Sequence, residues 1–103
     1  MKTVTICGSM RFADEMKSIA LQLEKNYNMN VIQCIYNPQG VHLSDDDIEV
    51  ITMAHYRKIE LSNAIYVVNI DGYIGESVKK EIEYAKSKEK EVIYHTEFMI
   101  NMN

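Results

Sequence analysis

The residues 72–86, GYIGESVKKEIEYAK, follow an apolar run, AIYVVNI, and carry a helical pattern. At about 100° per residue, Val78, Ile82 and Ala85 mark the stripe that such a helix buries. Glu81 lies roughly 60° from the centre of that stripe, in the first turn of the expected helix, and shares an i,i+3 edge with Tyr84. Glu83 points nearly the opposite way, among Lys79 and Lys86, toward solvent. One reading of Glu81 is an acid favoured by the helix dipole, worth about 0.3–1 kcal/mol. That role does not require the boundary of an apolar face. A carboxylate there, just past a loop holding Gly75 and Ser77 and beside a tyrosine hydroxyl, is placed for nucleophilic or acid–base chemistry.

A second cluster is ICGSMRF, residues 6–12, where a strand runs into glycine and serine and a helix follows at once. Gly8 lets backbone approach a ligand, Ser9 can cap the helix or bond an anion, and Arg11 can pair with a phosphate or carboxylate. An ordinary strand-to-helix turn accounts for the same residues. The glycines of a dinucleotide fingerprint are missing. His55 shares a helical face with Ile48, Ile51, Ile59 and Ser62, as a satisfied core histidine or a proton donor. Asn69 and Asp71 alternate around Ile70 and either face a ligand together or simply close a strand.

The elements that must position these groups follow from periodicity. Residues 2–7, 30–36, 64–70 and 91–95 read as strands, short and rich in β-branched residues. Phe12, Met16, Ile19 and Leu23, with Tyr27 beyond, form one helical face. Ser44 and Asp47 open a second helix as a capping pair, running to about residue 62, and a third covers about 77–89. The tail, TEFMINMN, carries no assignment. Strands alternating with helices imply an α/β, three-layer, flavodoxin- or Rossmann-like open parallel sheet of about four strands, helices on both faces. Strands that are apolar runs rather than alternations fit a sheet covered on both sides. Ligands in such sheets sit beyond the carboxyl ends of the strands, where strand order reverses.

A chain of 103 residues is one domain, 1–103, and 47% hydrophobic with 25% charged is a globular composition. A net charge of −4 with scattered basic residues excludes the basic stripe of a nucleic-acid polymer surface, and no window has the length of a membrane span. A small phosphorylated ligand stays open. Cys7 and Cys34 form no CxxC pair and no spaced ligand set with the histidines, so neither a metal, another cofactor nor a disulfide is expected, and the setting reads as cytoplasmic.

Taken together, ICGSMRF, the polar residues of the second helix and GYIGESVKKEIEYA resemble the nucleoside 2-deoxyribosyltransferase superfamily, which includes the 2′-deoxynucleoside 5′-monophosphate N-glycosidases. The resemblance spans about residues 3–95. SVKKEIEYA is similar to the family's glycine–threonine–two residues–glutamate–leucine–glycine–tyrosine–alanine, with Ser77 and Val78 on the glycine and threonine and Tyr84 and Ala85 matching directly. It implies that Glu81 is the nucleophile at the anomeric carbon, with Tyr84 or another hydroxyl orienting it, and that Ser9 and Arg11, beside Gly8, help hold a 5′-phosphate. Where the family carries two aspartates in the second helix, the register here holds His55 and Asn63. His55 then protonates or hydrogen-bonds the departing base, with Asn63, Asn69, Asp71, Gly75 and Ser77 around the substrate. The implied activity is cleavage or exchange of an N-glycosidic bond in a nucleotide or nucleoside. A nucleotide-binding module without turnover is the alternative. A homodimer or larger homo-oligomer is expected, because small domains are marginal alone and seven methionines and seven tyrosines suit an interface. NPQGVHLSDDD, long for a strand-to-helix connection, is expected to cover the site.

Overall fold

The computed structural model describes residues 1–101. Along the chain run β1 (Lys2–Gly8), α1 (Ala13–Tyr27), β2 (Met29–Ile32), α2 (Asp45–Leu61), β3 (Ala64–Val68), α3 (Glu76–Ser87), β4 (Glu91–Tyr94) and α4 (His95–Asn101), with 3-10 turns at Met10–Phe12 and Ile70–Gly72. The strands make one sheet in the order β2-β1-β3-β4, and every pairing is parallel. This is the α/β, Rossmann-like sheet expected from the pattern.

The layers follow from handedness. β1 to β2 steps one way across the sheet, while β2 to β3 and β3 to β4 step the other way. Right-handed crossovers therefore put α1 on one face and α2 and α3 on the opposite face. Alternation along the strands matches this. Val4, Ile6, Ala64, Tyr66 and Val68 pack with Met16, Ala20 and Leu23 of α1. Cys7, Ile65 and Val67 pack with Ile59 of α2 and with Val78, Ile82 and Ala85 of α3. Strand order reverses between β1 and β3, so the crevice opens beyond Gly8 and Val68, which are register partners.

Local signals explain the ends. Ser44 accepts from the Asp47 amide and Asp47 accepts from the Ser44 amide, the capping box expected from the sequence, and Asp45–Asp47 form an acidic first turn favoured by the helix dipole. α1 stops at Asn28, whose φ of 55° is left-handed. β2 is shorter than its apolar run suggests. It is an edge strand paired only with β1, and the ladder ends at Ile32. The tail, unassigned in sequence, belongs to α4 as far as Asn101, and its residues 102–103 lie outside the described residues; Phe98 of α4 meets Tyr66 and Tyr27 edge-on. Among the described residues, no helix is long and apolar enough to cross a membrane.

His95, at the start of α4, gives a pH signature. The buried Tyr66 hydroxyl shares a hydrogen bond of 2.6 Å with its Nδ1, and desolvation lowers the His95 pKa from the ordinary 6.5. The unfolded chain then takes up this proton more readily than the folded one. The stability this group confers is full above 6.5 and is lost as pH falls through the lowered folded value. Urea midpoints should drop on acidification from neutral to just above the carboxylate range, and His95→Gln should flatten that part of the profile.

Candidate active site

Three elements bring a carboxylate, an imidazole and a thiol to one point at the crevice. Cys7 comes from the penultimate position of β1, His55 from the middle of α2 and Glu81 from the second turn of α3 rather than the first, because that helix begins at Glu76. The His55 Nε2 lies 3.2 Å from the Glu81 carboxylate and 3.4 Å from the Cys7 sulfur. An ionised carboxylate only accepts, so the geometry assigns the proton to Nε2, which donates to Glu81 with the sulfur beside it. The Glu81 and His55 side chains keep only 16% and 11% of their accessible surface, enough to touch a ligand while largely out of water.

This is not a nucleophilic thiol triad. In such a triad the carboxylate holds one ring nitrogen and the thiol addresses the other. Here both address Nε2. The Cys7 thiol is also fully buried, and burial, then the charge and hydrogen bond of Glu81, push its pKa well above the usual thiol range. Of the three, Glu81 and His55 border the open cavity and Cys7 does not.

Two cavities meet at that carboxylate. The larger, about 570 Å³, lies under the 34–43 segment and α2; its walls include Ile35, Pro38, Val41, Leu43, Ile48 and Ile51, with His55, Lys58, Lys80 and Glu81 as charged or titratable groups. The smaller, about 260 Å³, is lined by Ser9, Gly75, Glu76, Ser77 and Val78 at the start of α3. Gly8, Met10, Ser77 and Glu81 belong to both. Gly8 is fixed by packing as much as by access: a Cβ there would stand 2.6 Å from Met16 Sδ and 3.2 Å from Val68 Cβ. The α3 N-cap, Gly75, has no side-chain hydrogen bond to the first turn, which leaves that end of the helix able to receive an acceptor.

Comparison with family models, curated proteins and solved structures finds no match to this chain.

Of the residues singled out in the sequence, Gly8, Ser9, His55, Gly75, Ser77 and Glu81 gather at these cavities. The others take different places. The Tyr84 hydroxyl donates to Glu60, its ring stacks on Tyr56, and this bond together with Arg57 holds the Glu60 carboxyl below the usual range. The group that orients Glu81 is therefore His55. Asn63 bonds Thr3 at the amino end of the sheet, accepting from its amide at 2.8 Å. α2 runs opposite to the strands, so residue 63 sits about 12 Å down the axis from His55, away from the crevice. Asn69 ties β3 to α4 through two hydrogen bonds with Thr96. Asp71 is exposed in a turn at φ 55°. Arg11 lies over the Tyr73 ring, 4.0 Å from its centroid, and Ser9 accepts from the Arg11 amide. Cys7, which the sequence does not mark as a site residue, joins His55 at the site. Its only signal in the sequence is its place just before Gly8 at the end of a strand.

Proposed function

We propose that this protein cleaves or exchanges the N-glycosidic bond of a nucleotide or nucleoside, with Glu81 as the nucleophile. The observation that carries the reading is the Glu81 carboxylate at the junction of two cavities, held by the His55 N–H. The apolar walls of the larger cavity suit a planar base, and the smaller one, between Ser9 and the start of α3, suits the sugar and a 5′-phosphate. Glu81 attacks C1′, the C1′–N bond breaks with its electron pair leaving on the base, and a glycosyl ester forms. The departing base takes a proton from water; water or a second base then attacks C1′ and gives up its own proton to solvent as the C1′–O bond to Glu81 breaks and frees the carboxylate. Incubation with a panel of nucleosides and their 5′-monophosphates, followed by detection of free base, tests this. Binding without release would favour the other reading, a nucleotide-binding module. One observation favours it: His55 already occupies one carboxylate oxygen.

The 37–43 segment is assigned as a cover for the site. Its turn is fixed by the Val41 amide donating to Pro38 and by Asn37 donating to Val41, with Gly40 at a left-handed φ of 84°. Pro38, Val41 and Leu43 face the larger cavity. A bound nucleoside monophosphate should slow hydrogen exchange at the amides of Gly40 to Leu43. Equal exchange in a demonstrated complex would make the segment a mere connector.

A second copy of the chain is the expected partner of α2. Val50, Met53 and Leu61 are 67%, 64% and 61% exposed. With Ala54 and Arg57 they form a stripe roughly opposite the buried His55 and Ile59. Asp45, Asp46, Asp47 and Glu49 crowd one end of the helix, and Arg57 and Lys58 lie toward the other. An antiparallel pair of α2 helices covers the apolar stripe and sets acidic ends against basic ones. Sedimentation equilibrium should give a dimer that Met53→Glu dissociates. A monomer mass at all concentrations would overturn this.

A further inference from the structure

We propose that Cys7, His55 and Glu81 form a binding site for a borderline-soft divalent cation, zinc in the first instance, with its open coordination position facing the larger cavity. The three donor atoms lie within 4.8 Å of one another, and two of the separations are 3.4 and 3.2 Å. On a tetrahedral zinc with bonds of about 2.0–2.3 Å, neighbouring donors stand roughly 3.3–3.6 Å apart. The cluster is therefore close to preassembled, and a small swing of the Glu81 carboxylate completes it. The inference rests on these positions and not on the glycosidic reading.

The charges balance on binding. The metal replaces the thiol proton directly, so the thiolate and the carboxylate, with a neutral imidazole, sum to the minus two that a divalent cation cancels. In the binding step the Cys7 S–H proton leaves to solvent, a sulfur–metal bond forms, and the His55 proton moves from Nε2 to Nδ1 so that the Nε2 lone pair binds. One thiolate, one imidazole and one carboxylate is a donor set for zinc or cobalt rather than for magnesium or calcium. His55 and Glu81 line the cavity, which gives the ion its path. Three protein ligands leave a fourth position for water or a ligand atom. Because the ion takes Glu81, metal binding and covalent attack by that carboxylate exclude each other.

Cobalt(II) titration of the metal-free full chain, without substrate, tests the site. The expected result is a near-ultraviolet thiolate-to-cobalt absorption band with visible bands of four-coordinate intensity, both removed by added zinc. Cys7→Ser should abolish the thiolate band, and His55→Ala and Glu81→Gln should each weaken binding at least tenfold. Cys34→Ser, at a half-buried residue on the cavity wall, should keep it. Absence of the band in the wild type overturns the proposal outright, whether or not the variants fold. So does a band that survives Cys7→Ser and is lost with Cys34→Ser. Neither outcome bears on base release, which is read separately with substrate.

Discussion

Glu81→Gln is expected to remove base release by roughly 10³–10⁶-fold, the scale seen when a covalent nucleophile is lost. The substitution preserves size and leaves a carbonyl oxygen to accept from His55 Nε2, so the His55 contact and the junction of the cavities persist. Nucleotide affinity and thermal midpoint should therefore change little, and the loss should fall on kcat. Glu83→Gln is the matched control: two residues on, same charge change, but exposed on the solvent side of α3. It should retain full rate. Release of base at equal rates by the wild type and the Glu81 variant would remove Glu81 from the chemistry, and a large KM effect at unchanged kcat would make it a binding group.

The residues that the sequence placed well are those whose position is set by local pattern. The stripe Val78, Ile82 and Ala85 is buried, so Glu81 falls at its edge as the periodicity requires. Ser44 and Asp47 cap α2 because a capping box needs only residues three apart. What stayed illegible depends on contacts far apart in the chain. Cys7 and His55 are 48 residues apart, and only the crossing of α2 over the sheet brings them together. Tyr84 shares a helix edge with Glu81, but that edge does not say which neighbour its hydroxyl meets, and Glu60 of α2 accepts it. Sequence register alone sets Asn63 beside His55, whereas helix and sheet geometry place the two at opposite ends of the layer. α4 leaves no clear pattern in the sequence because its seven residues are too short to show a face, and its stability comes from what it covers.

Tyr66→Ala is expected to cost about 3–5 kcal/mol, the range for truncating a large buried aromatic residue. Tyr66 is fully buried at the centre of β3, among the strand and α1 residues of its cluster, with ring-edge contacts to His95 and Phe98 at 5.6 Å each. Domains of this kind are stable by about 5–15 kcal/mol, so the loss is a large fraction of the whole. Tyr66→Phe separates packing from hydrogen bonding. It keeps the ring and removes only the hydroxyl that hydrogen-bonds His95, whose side chain is partly open to water that can replace it. That change should cost about 1 kcal/mol. The two variants should also differ at α4. With the ring gone, His95 and Phe98 lose their contacts with β3, and limited proteolysis should cut within 95–101 in the Ala variant but not in the Phe variant. Urea unfolding gives the energies, and an Ala variant weakened by less than about 1.5 kcal/mol would mean that the ring does not fill a close-packed interior. If the Phe variant is weakened as much as the Ala variant, the hydroxyl bond rather than the ring holds α4 to the sheet.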